Sequence, residues 1–150
     1  MTDSAMKKYI FLLLAAFVAI SCNQGNKESK ESLDLSENEN LKLQIYYFHL
    51  TNRCVTCNSI ENNVKELLKT EYKNELEEGI IAFESLNLDD KENKDLAERF
   101  EAFGASLHLV SIKDGEEKDH DLTNYAFSYS RKQPEEFKDG LKETIDELIN

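Results

Sequence analysis

Two cysteines separated by two residues are the part of this sequence best suited to chemistry. Cys54 and Cys57 follow an apolar run at residues 43–49 and precede an amphipathic stretch that starts near Ile60. Two thiols at this spacing, at the start of a helix, can close a disulfide and open it again. The partial positive charge of a helix N-terminus favours a thiolate over a thiol. The pattern therefore predicts a site for electron or disulfide exchange.

The two sulfurs are expected to have different roles in such an exchange. Cys54 should lie at the exposed tip of the helix and act as the nucleophile. Cys57 follows one turn further along and should resolve a mixed disulfide. Arg53 stands directly before the nucleophile, and its positive charge is expected to favour the Cys54 thiolate.

The composition excludes several other classes of function. The 150 residues carry a net charge of -12, and no basic patch is visible that would bind nucleic acid. Three cysteines are too few for a disulfide-stapled miniprotein, so the chain has to form its own hydrophobic core. The sequence also lacks a glycine-rich phosphate loop and the constellations typical of hydrolases. No cofactor is expected.

The N-terminal residues resemble a targeting segment. Lys7 and Lys8 precede a short apolar run that ends just before Cys22. The pattern is similar to a bacterial lipoprotein signal, so we expect a signal peptide over residues 1–21 and a lipid on Cys22. An uncleaved membrane anchor with an incidental cysteine is the alternative.

Residues 22–40 are rich in Asn, Lys, Glu and Ser, which predicts a disordered tether between lipid and folded domain. The lipid would attach the protein to a membrane of a bacterial cell envelope, with the domain facing the periplasm or the exterior. Cytosolic reductants do not buffer thiols there. The cysteine pair would therefore need a dedicated redox partner protein, whose identity the sequence leaves open.

Periodicity over residues 41–150 predicts one folded domain of alternating strands and helices. Strands are expected at residues 43–49, 79–88, 107–112 and 116–122, and helices at residues 57–72 and 91–103 and from Pro134 onward. The first strand is nearly continuous in apolar residues, which is typical of a central strand. The aromatic alternation at Tyr125, Phe127 and Tyr129 is expected to be a short segment that packs on the sheet.

This order of elements, with the cysteine pair directly after the first strand, resembles the thioredoxin family. The resemblance covers residues 43–150, and the family's Lys-x-Gly turn is matched by Lys113 and Gly115. It implies an α/β, thioredoxin-like fold with a mixed central sheet of about four strands flanked by helices.

The chain departs from the thioredoxin pattern at two positions. That family places a cis-proline before the third strand, facing the cysteines, but the single proline here is Pro134. The facing position falls near Ser106 or Leu107, where a trans peptide bond is expected. Tyr47 stands where the family has a buried acid, so proton transfer to the second cysteine would need another group.

Two histidines are candidates for supporting roles. His49 ends the first strand and would either serve proton transfer to Cys57, as a water also could, or only cap the turn. His108 should lie near the position of the missing proline, where its imidazole and two thiolates would form a soft site for zinc, copper(I) or arsenite. The alternative that we favour for His108 is a strand histidine without a ligand role, so no metal site is predicted.

A narrower resemblance is to the nitrophenyl-compound nitroreductase subunit ArsF family, whose members are small thioredoxin-like proteins. The matching residues are Tyr47-Phe48-His49, Arg53-Cys54, Thr56-Cys57 and residues 106–110. The resemblance implies a reductase partner and a link to the detoxification of arsenic or nitro compounds.

Three functions are open at this point. The first is a membrane-anchored thiol-disulfide oxidoreductase or electron carrier that uses Cys54 and Cys57. The second is a binding module in which the two thiols capture a soft metal or trivalent arsenic. The third is an interaction lipoprotein in which the pair is a permanent disulfide. We favour the first, and lean towards an enzyme.

Overall fold

The computed structural model describes residues 39–150. The predicted signal peptide at residues 1–21, the predicted lipid attachment at Cys22 and all but the last two residues of the predicted tether lie outside the described residues. In the part that is described, no helix is both long enough and apolar enough to cross a membrane.

A four-stranded mixed sheet forms the centre of the described domain. Its strands are β1 at Leu43–His49, β2 at Ile81–Asn87, β3 at Ser106–Lys113 and β4 at Glu116–Asp121, arranged in the order β2-β1-β3-β4. Strand β1 pairs in parallel with β2 and antiparallel with β3, and every residue of β1 is buried. The edge strand β4 is entirely polar, which protects the edge from pairing with other chains. The mixed four-stranded sheet is the one that the sequence predicts.

Helices connect the first three strands, and two more helices follow the last strand. They are α1 at Val55–Glu71, α2 at Lys73–Glu77, α3 at Lys94–Arg99, α4 at Thr123–Tyr129 and α5 at Pro134–Ile149, with a short 3-10 helix at Lys91–Asn93. A parallel strand pair requires a crossover connection, and α1 and α2 supply it between β1 and β2. Helix α1 starts directly after the loop that leaves β1, so its first turn lies at the edge where β1 ends.

The two faces of the sheet carry separate hydrophobic clusters because successive strand residues point to opposite sides. Helices α1 and α5 cover one face, where Ile45 and Tyr47 of β1 pack with Ile60 and Phe137. The other face holds a smaller aromatic cluster around Phe48 and its neighbours, Tyr46, Phe100, Ala102 and Val110. The face to which a side chain belongs therefore decides whether it can reach the cysteine pair.

The segment with alternating aromatic residues is a short helix, and it packs against the core cluster on one face of the sheet. In α4, Tyr125 and Tyr129 are four residues apart and share one helix face, with ring centroids 4.9 Å apart. The Tyr125 ring also contacts Phe137 of α5 at 5.6 Å. An aromatic residue at every second position suits a strand as well as one turn of helix, so the pattern alone did not distinguish them.

The helix predicted at residues 91–103 is shorter than expected. It starts as a 3-10 helix and ends at Arg99, and Glu101 adopts a positive φ of 50° that ends the helical run. Phe103, the last residue of the predicted helix, therefore lies in a loop and is 88% exposed. This loop leads into β3 at the same sheet edge as the cysteine pair, because Ser106 pairs with Phe48 near the end of β1.

Candidate functional site

The two cysteines form a disulfide at the start of α1. Their Cα atoms are 5.0 Å apart, and Cys54 is exposed whereas Cys57 is buried under the first turn. Cys54 is the N-cap residue: its backbone is extended, and its sulfur accepts a hydrogen bond of 3.0 Å from the backbone N–H of Cys57. Of the two sulfurs, Cys54 is thus the one at the surface, where the sequence places the nucleophile.

The electrostatic setting of the pair favours a thiolate on reduction. The first turn of α1 contains no acidic residue, so nothing there offsets the partial positive charge of the helix N-terminus. The same N–H that now bonds the Cys54 sulfur would remain as a donor to a thiolate. A hydrogen bond to the charged form lowers the pKa of a thiol, as does a helix N-terminus.

Tyr47 ties the central strand to the cysteine motif. Its side chain is fully buried, and its hydroxyl donates a hydrogen bond of 2.9 Å to the carbonyl oxygen of Cys57. Burial raises the pKa of Tyr47 to about 12, against a smaller opposing effect of Arg53. The phenol therefore remains protonated and able to donate throughout the neutral range. This hydrogen bond fixes the backbone of Cys57 relative to β1.

His49 and Arg53 are brought together beside the motif. The Arg53 guanidinium contacts Nε2 of His49, and Nδ1 of His49 lies 3.1 Å from the carbonyl oxygen of Leu50. Arginine can only donate, so Nε2 accepts, Nδ1 carries the proton and the imidazole is neutral. Burial lowers the pKa of His49, and the positive charge of Arg53 lowers it further. The hydrogen bond with Leu50 raises this pKa, but by less than burial lowers it.

His49 thus has partners at both ring nitrogens. Among the described residues, no hydrogen bond joins its imidazole to either sulfur. The proposed proton-transfer role of His49 remains a prediction that requires one of these partners to be released first. The alternative role, a residue that caps the turn after its strand, agrees with the Leu50 contact.

Glu61 is a site residue that the sequence analysis missed. It is a buried carboxylate on α1, and it pairs with the Arg53 guanidinium and, at 2.7 Å, with the Lys65 ammonium. The signal that could have found it is its spacing of four from Cys57, because residues four apart share a helix face. Cys57 and Glu61 therefore both lie on the buried side of α1.

Leu107 lies on the cysteine side of the sheet, and its backbone is already engaged. It pairs in register with Tyr47 and belongs to the same core cluster as Ile60. The Leu107 N–H donates to the Thr123 hydroxyl at 3.1 Å, and its carbonyl accepts from the N–H of Leu122 at 2.8 Å. Every peptide bond of the described residues, including those before β3, is trans, as the sequence predicts.

His108 lies on the opposite face of the sheet from the cysteine pair. Its ring contacts Phe48 and Phe100, with centroids 5.8 and 5.2 Å away, and its Nδ1 lies 3.1 Å from a carboxylate oxygen of Asp119. His108 follows Leu107 in β3, so alternation along the strand turns its side chain away from α1.

The two sulfurs and the His108 imidazole therefore lie on opposite faces of the sheet, and the soft site considered for them is not assembled. No cluster of three or more histidine, cysteine, aspartate or glutamate side chains suited to a metal occurs in residues 39–150. The reason is the register of β3: a shift of one residue would have placed the imidazole on the cysteine face.

No protein-family profile matches the sequence, and no curated protein matches it. Among solved structures, the chain is similar to thioredoxin from Fasciola hepatica, with 22% identity, a TM-score of 0.47, and coverage of 77% of this chain and 90% of that chain. It is also similar to a malarial protein, with 19% identity, a TM-score of 0.38, and coverage of 58% of this chain and 93% of that chain. The mixed four-stranded sheet flanked by helices, with a disulfide after its central strand, is a thioredoxin-like α/β fold.

Proposed function

We propose that this domain is a thiol-disulfide oxidoreductase or electron carrier that uses Cys54 as nucleophile and Cys57 as resolving thiol. The observation that supports it is a disulfide whose first sulfur is exposed at a helix N-terminus while the second is buried one turn inward. An exposed cysteine at a helix N-terminus beside a resolving cysteine is the arrangement that redox cysteines share.

The reaction follows from the positions of the two sulfurs. In the reduced domain, the Cys54 thiolate attacks one sulfur of a partner's disulfide, and the partner's other sulfur leaves as a thiolate. The Cys57 thiolate then attacks the Cys54 sulfur, which forms the intrachain disulfide and releases the second partner thiol. Two electrons pass to the partner, and the same steps in reverse oxidise a partner dithiol.

Single-cysteine variants test this assignment. In the Cys57→Ser protein, glutathione disulfide should produce a lasting mixed disulfide on Cys54, detected as a glutathione adduct by intact-mass spectrometry. The Cys54→Ser protein should form that adduct far more slowly, because its remaining thiol is buried. Equal adduct formation in both variants, or none in either, would rule out the assignment.

We further propose that the domain acts at a membrane of the bacterial cell envelope, held by a lipid on Cys22. The support is the sequence pattern of the N-terminal residues, with Lys7 and Lys8 before an apolar run and small residues before the cysteine. In such a compartment the redox partner would be another protein, since no cytosolic thiol buffer is present.

A link to arsenic or nitro-compound detoxification is a narrower form of the same proposal. Its support is the set of residues shared with the ArsF family, which includes Arg53-Cys54 and Thr56-Cys57. Because His108 faces away, capture of trivalent arsenic would depend on the two sulfurs alone. Native mass spectrometry of the reduced domain with arsenite tests this: a stoichiometric adduct that the double Cys54→Ser, Cys57→Ser variant lacks supports capture, and no adduct contradicts it.

A further inference from the structure

The cation that directly precedes the proposed nucleophile is bound to a buried anion. Arg53 directly precedes Cys54, yet its guanidinium is directed to the Glu61 carboxylate and to Nε2 of His49. The Glu61 side chain is only 9% exposed, and it holds Lys65 at its other oxygen. A buried carboxylate without a paired cation is strongly unfavourable, so Glu61 retains Arg53 tightly.

This pairing determines how much of the Arg53 charge reaches the sulfur. A free guanidinium beside Cys54 would lower the pKa of the thiol. A guanidinium bound to a carboxylate forms a pair with little net charge, so its effect at the neighbouring sulfur is small. The structure thus alters the expectation that Arg53 favours the Cys54 thiolate: the contact with Glu61 opposes it.

We infer that Glu61 is a positioning residue that holds Arg53 away from Cys54 and thereby keeps the domain from becoming a strong oxidant. This inference rests on the proposed function and adds to it the group that sets the redox equilibrium. A less stabilised thiolate leaves the dithiol form less favoured, so the disulfide is less oxidising. Glu61 does not itself touch the sulfurs and acts through Arg53.

Other ionisable groups surround this cluster and are not substituted in the test. His49 and Tyr47 face it from β1, and Lys65 faces it from α1. From the loop after β2, Asp89 accepts a hydrogen bond from the Thr51 backbone, and Asp90 acts on His49. Glu61→Gln removes the ion pair and also the anion that Lys65 binds, and Arg53→Met also removes the donor at Nε2 of His49.

The test measures the pH dependence of Cys54 alkylation by iodoacetamide in protein reduced with a phosphine. Glu61→Gln should lower the apparent pKa of Cys54 by about one unit, since a cation within contact distance has effects of this size. At a pH two units below the parent's pKa, the thiolate fraction rises about tenfold while its intrinsic nucleophilicity falls about threefold, so alkylation should be about threefold faster. The equilibrium with glutathione should shift toward the dithiol by up to about tenfold.

A double variant separates an effect through Arg53 from the direct field of the carboxylate. When Arg53→Met is added to Glu61→Gln, the ion pair is removed as a unit, and the apparent pKa should return close to the parent value. If the double variant keeps the lowered pKa, Arg53 is not the mediator and the inference is overturned. An unchanged or raised pKa in the single Glu61→Gln protein overturns it as well.

Two further variants control for folding and for simple charge removal. Glu66→Gln removes the same charge from an exposed position on α1, where the carboxylate meets Lys138 rather than Arg53, and should leave the pKa of Cys54 unchanged. Glu61→Asp keeps the charge but shortens its reach, so it should lower the pKa in the same direction, and no change there contradicts the inference. Should Glu61→Gln fail to fold, the Glu61→Asp result decides the question.

The alkylation readout is independent of redox activity, because the protein is reduced chemically beforehand. A domain that alkylates as described but does not exchange with glutathione would contradict the proposed function while supporting the Arg53–Glu61 inference. A domain that exchanges with glutathione but shows no Glu61 effect would support the proposed function and contradict the Arg53–Glu61 inference.

Discussion

At the scale of single residues, Tyr47 holds the cysteine motif by a hydrogen bond from its phenol to the Cys57 carbonyl. The buried carboxylate of this site, Glu61, lies on α1. The two roles of holding the motif and supplying negative charge are therefore divided between two elements.

Tyr47→Phe should lower the free energy of unfolding by about 1 kcal/mol, because one buried hydrogen bond is lost. The Cys57 carbonyl keeps its place in the helix, so no larger penalty is expected. Denaturant unfolding of the oxidised domain measures the difference. Tyr46→Phe is the matched control, since it removes a hydroxyl from the same strand on the other sheet face. Equal losses in the two variants would show that the contact with Cys57 contributes nothing.

His49 should make stability depend on pH near neutrality. Burial and the neighbouring Arg53 charge lower its pKa in the folded state, so the unfolded chain binds more protons than the folded domain. Stability should therefore be constant above the unfolded pKa of about 6.5 and fall as the pH drops below it.

The comparison of the parent with His49→Gln between pH 7 and 5 checks this dependence. The variant should lose most of the slope in unfolding free energy, whereas His120→Gln, on the polar edge strand β4, should keep it. Aspartates with lowered pKa values, such as Asp89 and Asp146, lose their contribution only at lower pH and do not interfere. An identical slope in the parent and His49→Gln would contradict the assignment.

At the scale of elements, the packing of α4 on α5 depends on one glycine. Gly140 of α5 lies where an added Cβ would overlap the Tyr125 hydroxyl and come within 2.9 Å of its ring carbon Cζ. The Tyr125 hydroxyl donates to the Glu136 carbonyl at 2.8 Å, so the ring cannot move freely. The close approach of the two helices at this point requires a residue without a side chain.

Overpacking in Gly140→Ala should lower the free energy of unfolding by about 1–3 kcal/mol. The higher helix propensity of alanine offsets roughly 1 kcal/mol of this loss, so a net destabilisation is expected. The sign of the net effect is the informative result, and thermal unfolding measures it. Gly104→Ala, where an added Cβ meets nothing within 4 Å, should be nearly neutral. A stabilised Gly140→Ala protein would show that Tyr125 yields without cost.

The elements also show what sequence patterns can and cannot predict. The buried strand β1 and the cysteine pair after it followed from a continuous apolar run that ends in a turn. Helix α4 did not follow from its sequence pattern, because three aromatic residues at every second position fit a strand as well as a short helix. The register of β3 decides that Leu107 faces the cysteines and His108 does not, and it depends on pairing with β1, which no local pattern contains.

The Arg53–Glu61 contact could not be predicted for a similar reason. The spacing of four from Cys57 places Glu61 on the same helix face, but charged residues on helices are usually solvated, and the spacing does not show which partner the carboxylate binds. Its burial results from the loop after β1 folding back along α1, so that Arg53 reaches a residue eight positions later. Tertiary structure, rather than local propensity, creates this part of the site.

At the scale of the whole molecule, attachment through Cys22 is the proposal that decides where the chemistry takes place. Full-length protein produced in bacteria should incorporate labelled fatty acid and fractionate with membranes, because several acyl chains anchor a protein firmly. Cys22→Ala should abolish the label and leave the redox properties of the domain unchanged. Label that persists in Cys22→Ala would contradict the assignment.

The acidic balance of the chain, with a net charge of -12, bears on the partner. A strong negative field repels anionic surfaces and favours encounter with a partner that presents positive charge. The redox partner should therefore exchange faster at low ionic strength.

The reduction potential of the Cys54–Cys57 couple tests the central claim most directly. Equilibration of the domain with a series of glutathione buffers, followed by quenching and alkylation, gives the fraction of dithiol at each potential. A reversible exchange site should have its midpoint between about -270 and -120 mV, the range spanned by thioredoxin-like dithiols. A midpoint below about -300 mV would identify the bridge as a permanent structural disulfide and contradict the proposed function.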